Sequence, residues 1–149
     1  MAARHTVVVA GERDLPTLLA SIEPELRPGT FVFVVVHDEA LLDALAPEAT
    51  IREPEGLTAV VRRERADALG LRYDYLAAWI TLRVQSALDA VGLTAAVSAA
   101  LARAGVSCNV LAGCHRDHLL VPEDRAPAAL RALADLSHGD DGESRATRR

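Results

Sequence analysis

The sequence contains no lysine, since all sixteen of its positively charged residues are arginine. Lysine supplies the amine that forms Schiff bases, anchors pyridoxal phosphate and contacts the nucleotide in a P-loop. Enzymes that depend on these three features are therefore excluded. Aromatic residues are also scarce, at 3% of the chain. Stacking of nucleobases on an aromatic platform is excluded for that reason.

Basic surfaces and long apolar segments are missing as well. The formal net charge is −5 at pH 7, and neither half of the chain offers a basic face of the kind that binds nucleic acid. The apolar run Val7–Val9 is too short for a signal peptide or a membrane span. Because the sequence shows no secretion signal, we interpret Cys108 and Cys114 as reduced thiols. We expect a cytoplasmic protein that binds neither nucleic acid nor membranes.

What the sequence does contain is enough apolar material for a core. Half of its 149 residues are hydrophobic, mostly valine, leucine and alanine. A chain of this length buries well over half of the surface that it exposes when unfolded. The composition therefore indicates one compact domain, or two very small ones.

The hydrophobic period of the second half changes from about 2 to about 3.6 and back to 2. Ile80, Leu82 and Val84 alternate with polar residues, which predicts a half-buried strand. A helix follows, and Gly105 stands at the position of a glycine that ends a helix. The apolar stripe of that helix is Leu93, Ala96, Val97, Ala100, Leu101 and Ala104. Strands over 106–110 and 115–122 complete a β-α-β-β order.

The first half repeats this order more weakly. Thr6–Ala10 is a predicted strand, and Asp14 is placed to cap a helix whose stripe extends to Leu26. Phe31–Val36 is a continuous apolar run, as in strands that are buried on both faces. Further strands are predicted over 50–53 and 57–61. A helix over 123–137 ends the pattern.

The run Ala90–Val110 resembles the first βαβ segment of an ACT domain, a small regulatory fold that binds amino acids. Arg52–Thr58 and Asp117–Pro122 narrow the resemblance to small stand-alone tandem ACT-like proteins, which are related to the paired ACT units of aspartate kinases. The resemblance covers roughly residues 5 to 136.

This resemblance implies an α+β fold of two ferredoxin-like βαββαβ units, with antiparallel sheets and helices packed on one face. The first unit is predicted over 5–74 and the second over 75–137, followed by a disordered tail over 138–149. No glycine- or proline-rich linker separates the halves, so we expect one packed body. The strand near residues 74–84 fits either sheet, as a shared or an exchanged strand.

The resemblance also implies a ligand site around the loop that opens the second-half helix. Gly92 matches the loop glycine of ACT domains, and helix N-termini favour a carboxylate. Asn109 lies where ACT domains often use an asparagine. Alternatively, Gly92 only relieves crowding in a turn, and Asn109 is only a strand-edge residue. The predicted ligand residues are Ser86, Val91, Gly92, Leu93, Thr94, Asn109 and Val110.

The cluster Cys114, His115, Asp117 and His118 suggests metal or thiol chemistry instead. Zinc needs three or four converging ligands. On an extended strand, Cys114 and His118 share one face while His115 and Asp117 point the other way, although a tight turn around 113–116 changes that geometry. No nucleophile elbow or zinc-binding helix motif is present. We therefore expect no catalytic residue, metal or cofactor.

The sequence leaves three hypotheses about function. The first is a non-catalytic protein that senses an amino acid or a close analogue. The second is a structural or protein-interaction module that has no ligand, and the third is a zinc- or thiol-dependent enzyme. A homodimer is expected, because small open sheets have edges to protect.

Overall fold

Residues 11–139 form a single antiparallel sheet with helices against one of its faces, as a computed structural model describes. The predicted strand Thr6–Ala10 and the tail from residue 140 onward lie outside the described residues. The strands are β1 Pro24–Leu26, β2 Phe31–Val36, β3 Ala49–Glu53, β4 Gly56–Arg62, β5 Ala77–Leu82, β6 Asn109–Ala112 and β7 Asp117–Pro122. The helices are α1 Leu15–Ala20, α2 Leu42–Leu45, α3 Arg63–Ala68, α4 Leu93–Arg103 and α5 Ala126–Ser137.

The order of the strands across the sheet is β3-β4-β2-β5-β7-β6, and β1 also pairs with β5. β1 and β2 follow one another along the same side of β5: Leu26 lies opposite Ile80, and Phe31 lies opposite Ala77. β5 therefore carries strands from both halves of the chain. The expectation of one packed body with a shared strand is confirmed.

The helices all pack on one face of the sheet, which we call the helix face. Against it, α1, α4 and α5 cover the second half, and α2 and α3 cover the first half. The opposite face, which we call the open face, carries a smaller buried cluster of Phe31, Val60, Ala77, Trp79 and Leu120. The structure thus has the α+β fold that the sequence predicted.

Several predicted elements are confirmed, and the end of α4 shows why. The stripe of α4 supplies Leu93, Val97 and Leu101 to the core. After its last residue, Gly105 adopts φ 68° and donates to the carbonyl of Ala102, while Val106 donates to that of Leu101. This is a Schellman ending, in which the glycine takes a left-handed conformation.

Three strand predictions need correction. β5 spans Ala77–Leu82, within the predicted 74–84, but it is buried on both faces rather than half-buried, because helices cover one face and aromatic rings the other. β2 is not buried throughout, since Val35 is 49% exposed on the open face. The strand predicted over 106–110 is displaced to β6, because the Schellman ending uses Val106.

The N-terminal helix is shorter than predicted, and it packs on the second half. It ends at Ala20, and residues up to Leu26 form β1 instead of extending the stripe. Leu18 and Ile22 are buried in the same cluster as residues of α4 and α5. The boundary at residue 74 stays a prediction, but the core is not divided there. Within 11–139, none of the helices is long and apolar enough to cross a membrane.

Candidate functional site

A small cavity lies at the end of the sheet where β5 leads into α4. Its volume is about 70 Å³. The lining residues come from the β5–α4 loop, the first turn of α4 and the β6–β7 hairpin: Ser86, Ala87, Leu88, Ala90, Leu93, Thr94, Ala112 and Asp117. The side chains in this wall are apolar except for the hydroxyls of Ser86 and Thr94 and the carboxylate of Asp117.

The first turn of α4 contributes Leu93 and Thr94 to the wall of this cavity. Gly92 is the N-cap residue and has no side chain to cap the helix, so the N–H groups of the first turn lack a capping partner. The first bond within the helix runs from the amide of Ala96 to the carbonyl of Gly92. The partial positive charge of the helix N-terminus therefore lies beside the cavity.

The carboxylate of Asp117 reaches the cavity because of the β6–β7 hairpin. Asp117 pairs with Ala112 across a tight turn, in which the amide of Gly113 donates to the carbonyl of Arg116 at 2.9 Å. The hydroxyl of Ser86 donates to the Asp117 carboxylate at 3.3 Å, and Ser86 is only 8% exposed. A negative group and the positive end of a helix thus share one small space.

A loop from the first half of the chain packs against the β5–α4 loop. The amide of Glu12 donates to the carbonyl of Gln85, and the amide of Ala87 donates back to the carbonyl of Glu12, both at 2.9 Å. The guanidinium of Arg13 holds the carboxylate of Asp89 with two hydrogen bonds. The cavity therefore lies beside the junction of the two halves.

Backbone hydrogen bonds also fix the charge of this N-terminal loop. The Glu12 carboxylate accepts from the amides of Asp14 and Arg13, which holds the pKa of Glu12 below its ordinary value. Asp14 caps α1 by accepting from Thr17, and the same interaction lowers the pKa of Asp14. Both carboxylates are fully exposed, so these pKa shifts reflect local hydrogen bonds and contribute little to the stability of the fold.

The structure brings three of the predicted ligand residues into the cavity wall, namely Ser86, Leu93 and Thr94. Gly92 immediately precedes the helical turn that faces it. Val91 is on the same loop but points outward, with 84% of its surface exposed. Their part in binding a ligand stays a prediction.

The two predicted residues on β6 lie apart from the cavity. Asn109 pairs with Leu120, so its side chain is on the open face, about 10 Å along the strand from Ala112. Val110 packs against the core on the helix face. Their part in ligand binding stays a prediction. Sequence reasoning considered Asp117 only for metal or thiol chemistry, and pairing it with Ala112 across the Gly113 turn would have located it beside this cavity.

His118 follows Asp117 on β7 but points to the open face. Its Nδ1 accepts a hydrogen bond from the Nε1–H of Trp79 at 3.2 Å and lies 3.0 Å from the Thr81 hydroxyl. Because the indole nitrogen can only donate, Nδ1 of His118 must carry no proton, so the imidazole ring is neutral in this arrangement. Burial, and then the nearby charge of Arg27, hold the pKa of His118 below its ordinary value.

We expect His118 to make the protein less stable in mild acid. The unfolded chain binds the proton more readily than the folded one, so stability should fall as the pH drops below the ordinary histidine pKa towards the lowered folded value. Melting curves between pH 7.5 and 5.5 test this. Acidification should lower Tm less in His118→Gln than in the wild type, whereas His115→Gln, an exposed turn residue, should behave as the wild type. Parallel curves for all three proteins would refute the effect.

The cysteines and histidines do not form a metal centre in the described part of the chain. Among residues 11–139, no three His, Cys, Asp or Glu side chains converge as a metal would require. Asp117 and His118 lie on opposite faces of the sheet, and Cys114 is exposed in the hairpin turn. Burial raises the pKa of the Cys108 thiol to about 11, so this thiol stays protonated near neutral pH.

The family of the chain follows from comparison with known domains and structures. Residues 10–78 and 76–135 each match a profile described as an ACT domain. A crystal structure of a protein of unknown function from Vibrio cholerae, described as a possible transport protein, is 45% identical. The similarity covers 83% of this chain and 95% of that one, with a TM-score of 0.76. The chain belongs to the ACT domain family and carries two such domains in tandem.

Two more distant structures share the fold. A protein from Agrobacterium tumefaciens is 21% identical over 78% of this chain and 89% of its own, with a TM-score of 0.62. The regulatory subunit of aspartate kinase from Thermus flavus is 18% identical over 78% and 96%, with a TM-score of 0.56. Comparison with curated proteins found no significant match. ACT domains are regulatory rather than catalytic units, as the resemblance seen in the sequence implied.

Proposed function

We propose that this protein binds a small α-amino acid or a close analogue in the cavity at the start of α4, and that it acts as a non-catalytic sensor. The observation that carries the proposal is the pairing of two opposite charges in one small space. The amides of the first turn of α4 suit a carboxylate, and the carboxylate of Asp117 suits an ammonium group. An α-amino acid carries both groups on one carbon atom.

The size of the cavity restricts the ligand. The cavity has a volume of about 70 Å³. On the same measure, one buried water molecule needs roughly 10–15 Å³. The space therefore suits about five to seven non-hydrogen atoms, which favours glycine, alanine or serine. A larger side chain would have to displace the β5–α4 loop, whose Leu88 is 69% exposed.

Polar contacts in the cavity explain how the two ends of such a ligand would be held. Ser86 is buried and already donates to Asp117, which restrains the carboxylate. The helix N-terminus contributes about 0.3–1 kcal/mol to an anion beyond its direct hydrogen bonds. Binding would therefore order the β5–α4 loop, and through it the N-terminal loop that contacts Gln85 and Ala87.

A thermal-shift screen of the twenty amino acids tests the proposal. Ligand at about a hundred times its dissociation constant stabilises a fold by roughly 2.7 kcal/mol. For a chain of this size each kcal/mol raises Tm by about 2–4 °C. The wild type should therefore gain several degrees with a small amino acid, and Asp117→Asn should lose that gain. Asp43→Asn, an exposed change on α2, should keep it.

Two results would contradict this site. If no amino acid at millimolar concentration shifts the wild type, the ligand-free interaction module takes its place. If Asn109→Ala removes the shift while Asp117→Asn keeps it, the ligand binds on the open face instead. The proposal also includes a homodimer, whose interface is considered next.

A further inference from the structure

β2 has one edge that is only partly paired. On one side it pairs with β4 along its whole length, from Phe31 opposite Arg62 to Val36 opposite Leu57. On the other side its single partner among residues 11–139 is Ala77, opposite Phe31. Beyond that point the strand extends past the beginning of β5. The remaining edge of β2, from Phe33 to Val35, is therefore open.

The alternation of the β2–β4 hydrogen bonds shows which groups this edge presents. The amide of Arg63 donates to the carbonyl of Thr30 at 2.9 Å, so residues 32, 34 and 36 direct their backbone groups at β4. Phe33 and Val35 then direct theirs away from β4, towards the open side. No backbone bond within the described range 11–139 uses these four groups. They form a template for one more strand.

A broad groove runs along this edge. Its volume is about 1020 Å³, with Phe33 and Val35 on one side and the segment 71–74 on the other. The opposite wall combines Leu71 with the charged side chains of Arg72 and Asp74, and the hydroxyl of Tyr73 is fixed by a hydrogen bond to Asp67 at 2.6 Å. On the β2 side, Phe33 and Val35 give the groove an apolar wall, and Val35 is 49% exposed. The groove is wide enough for an extended segment, with one apolar wall and one largely polar wall.

The chain itself supplies a segment of suitable chemistry in Thr6–Ala10, which precedes the described residues. It is uncharged and contains three consecutive valines, the residue type most favoured in strands. Backbone hydrogen bonds along an exposed strand edge accept such segments by β-strand addition.

A chain cannot place this segment in its own groove. Glu12 is tied to Gln85, beyond the Leu82 end of β5, whereas the groove lies beyond the Ala77 end. Leu82 and Val35 are separated by about 30 Å at 3.3–3.4 Å per residue. Val8 is only three residues from Gly11 and reaches about 10 Å.

We propose that the Thr6–Ala10 segment of a second copy of this chain pairs with the open edge of β2, and that reciprocal exchange of the two segments makes the homodimer. The exchange satisfies the free backbone groups of Phe33 and Val35 and covers the exposed surface of Val35. It also links the Gly11 loop beside the amino-acid cavity of one copy to the sheet of the other. The interface is independent of the proposed ligand, whose binding the thermal-shift screen measures separately.

Disulfide cross-linking of full-length chains tests the exchange, on a background in which Cys108→Ala and Cys114→Ser remove the native thiols. One protein carries Val7→Cys, Val8→Cys or Val9→Cys in turn, and a second, mass-tagged protein carries Val35→Cys. Mixing and mild oxidation should join the two chains in at least one combination. Ile51→Cys is the matched control, since Ile51 is 47% exposed on the same face but lies on β3, the outer strand of the sheet, which β4 separates from β2. It should cross-link several-fold less.

Light scattering provides the second readout. The wild type should have the mass of a dimer, and Val35→Asp and Val8→Asp should each have the mass of a monomer. An equimolar mixture of these two variants should regain dimers, because one copy keeps an intact edge and the other an intact segment. Ile51→Asp should remain a dimer. Three results would each overturn the proposal. The first is equal cross-linking of Val35→Cys and Ile51→Cys, and the second is a dimeric Val35→Asp protein. The third is a disulfide formed within a single chain that carries both Val8→Cys and Val35→Cys.

Discussion

Replacing Phe31 with alanine should lower the free energy of unfolding by about 3–5 kcal/mol, the range for a fully buried aromatic residue. Phe31 is 0% exposed although it lies on the face without helices. Its ring packs against that of Trp79 at 5.2 Å between centroids. The guanidinium groups of Arg27 and Arg62 lie 5.1 and 5.2 Å from the ring centre and cover it. Urea denaturation followed by circular dichroism measures the loss.

Phe33→Ala is the matched comparison for this prediction. Phe33 lies on the same strand and the same face, but it is only partly buried and its ring lies 6.1 Å from that of Tyr75. Its replacement should therefore cost clearly less than that of Phe31. If the two variants unfold at the same urea concentration, the aromatic cluster of the open face does not act as a core.

Gly92→Val should destabilise the protein by about 3 kcal/mol, even without ligand. Gly92 adopts φ +102°, a conformation that costs side-chain-bearing residues on the order of 1–3 kcal/mol. A Cβ atom there would lie 2.8 Å from Cδ2 of Leu15, so the end of the Leu15 side chain would have to move. Forcing a side chain away from its preferred rotamer adds about 0.5–1.5 kcal/mol. The melting temperature without ligand measures the total.

Gly70→Val separates the two causes. Gly70 also has a positive φ, of +65°, but a Cβ atom there meets nothing within 4 Å. It should therefore cost only the conformational part. If Gly92→Val is as stable as Gly70→Val and loses only the ligand-induced shift, the glycine serves the ligand alone. A larger loss of stability supports a structural role, which the sequence left as the alternative.

The parts of the fold that the sequence predicted are those set by local periodicity and by end signals. The α4 stripe and Gly105 determine a helix and its end within one stretch of chain, so both were predicted correctly. The strand after α4 was displaced because a Schellman ending extends past its glycine to Val106. A shift of this size matters in a strand, because each step of one residue moves a side chain to the other face.

The candidate site depends on contacts that are distant in sequence. The resemblance to ACT domains identified the α4 loop, but it could not give the register of β6 and β7, which puts Asp117 beside Ser86 and Asn109 on the opposite face. The pairing of β1 with β5 was likewise hidden, because Pro24–Leu26 continues an apolar helical pattern. Tertiary pairing overrides such local patterns.

The double pairing of β5 makes the two ACT units a single cooperative body. A strand that carries partners from both units cannot lose one unit without exposing a long apolar edge, so partial unfolding of either half is strongly opposed. The amides of β5 should exchange with solvent deuterium only when the whole chain unfolds. A displacement of β5 at its Leu82 end should therefore also move its Ala77 end, because the strand between them is rigid. If the proposed amino acid binds beside the Leu82 end, β5 is the element that connects the occupied cavity to the first unit.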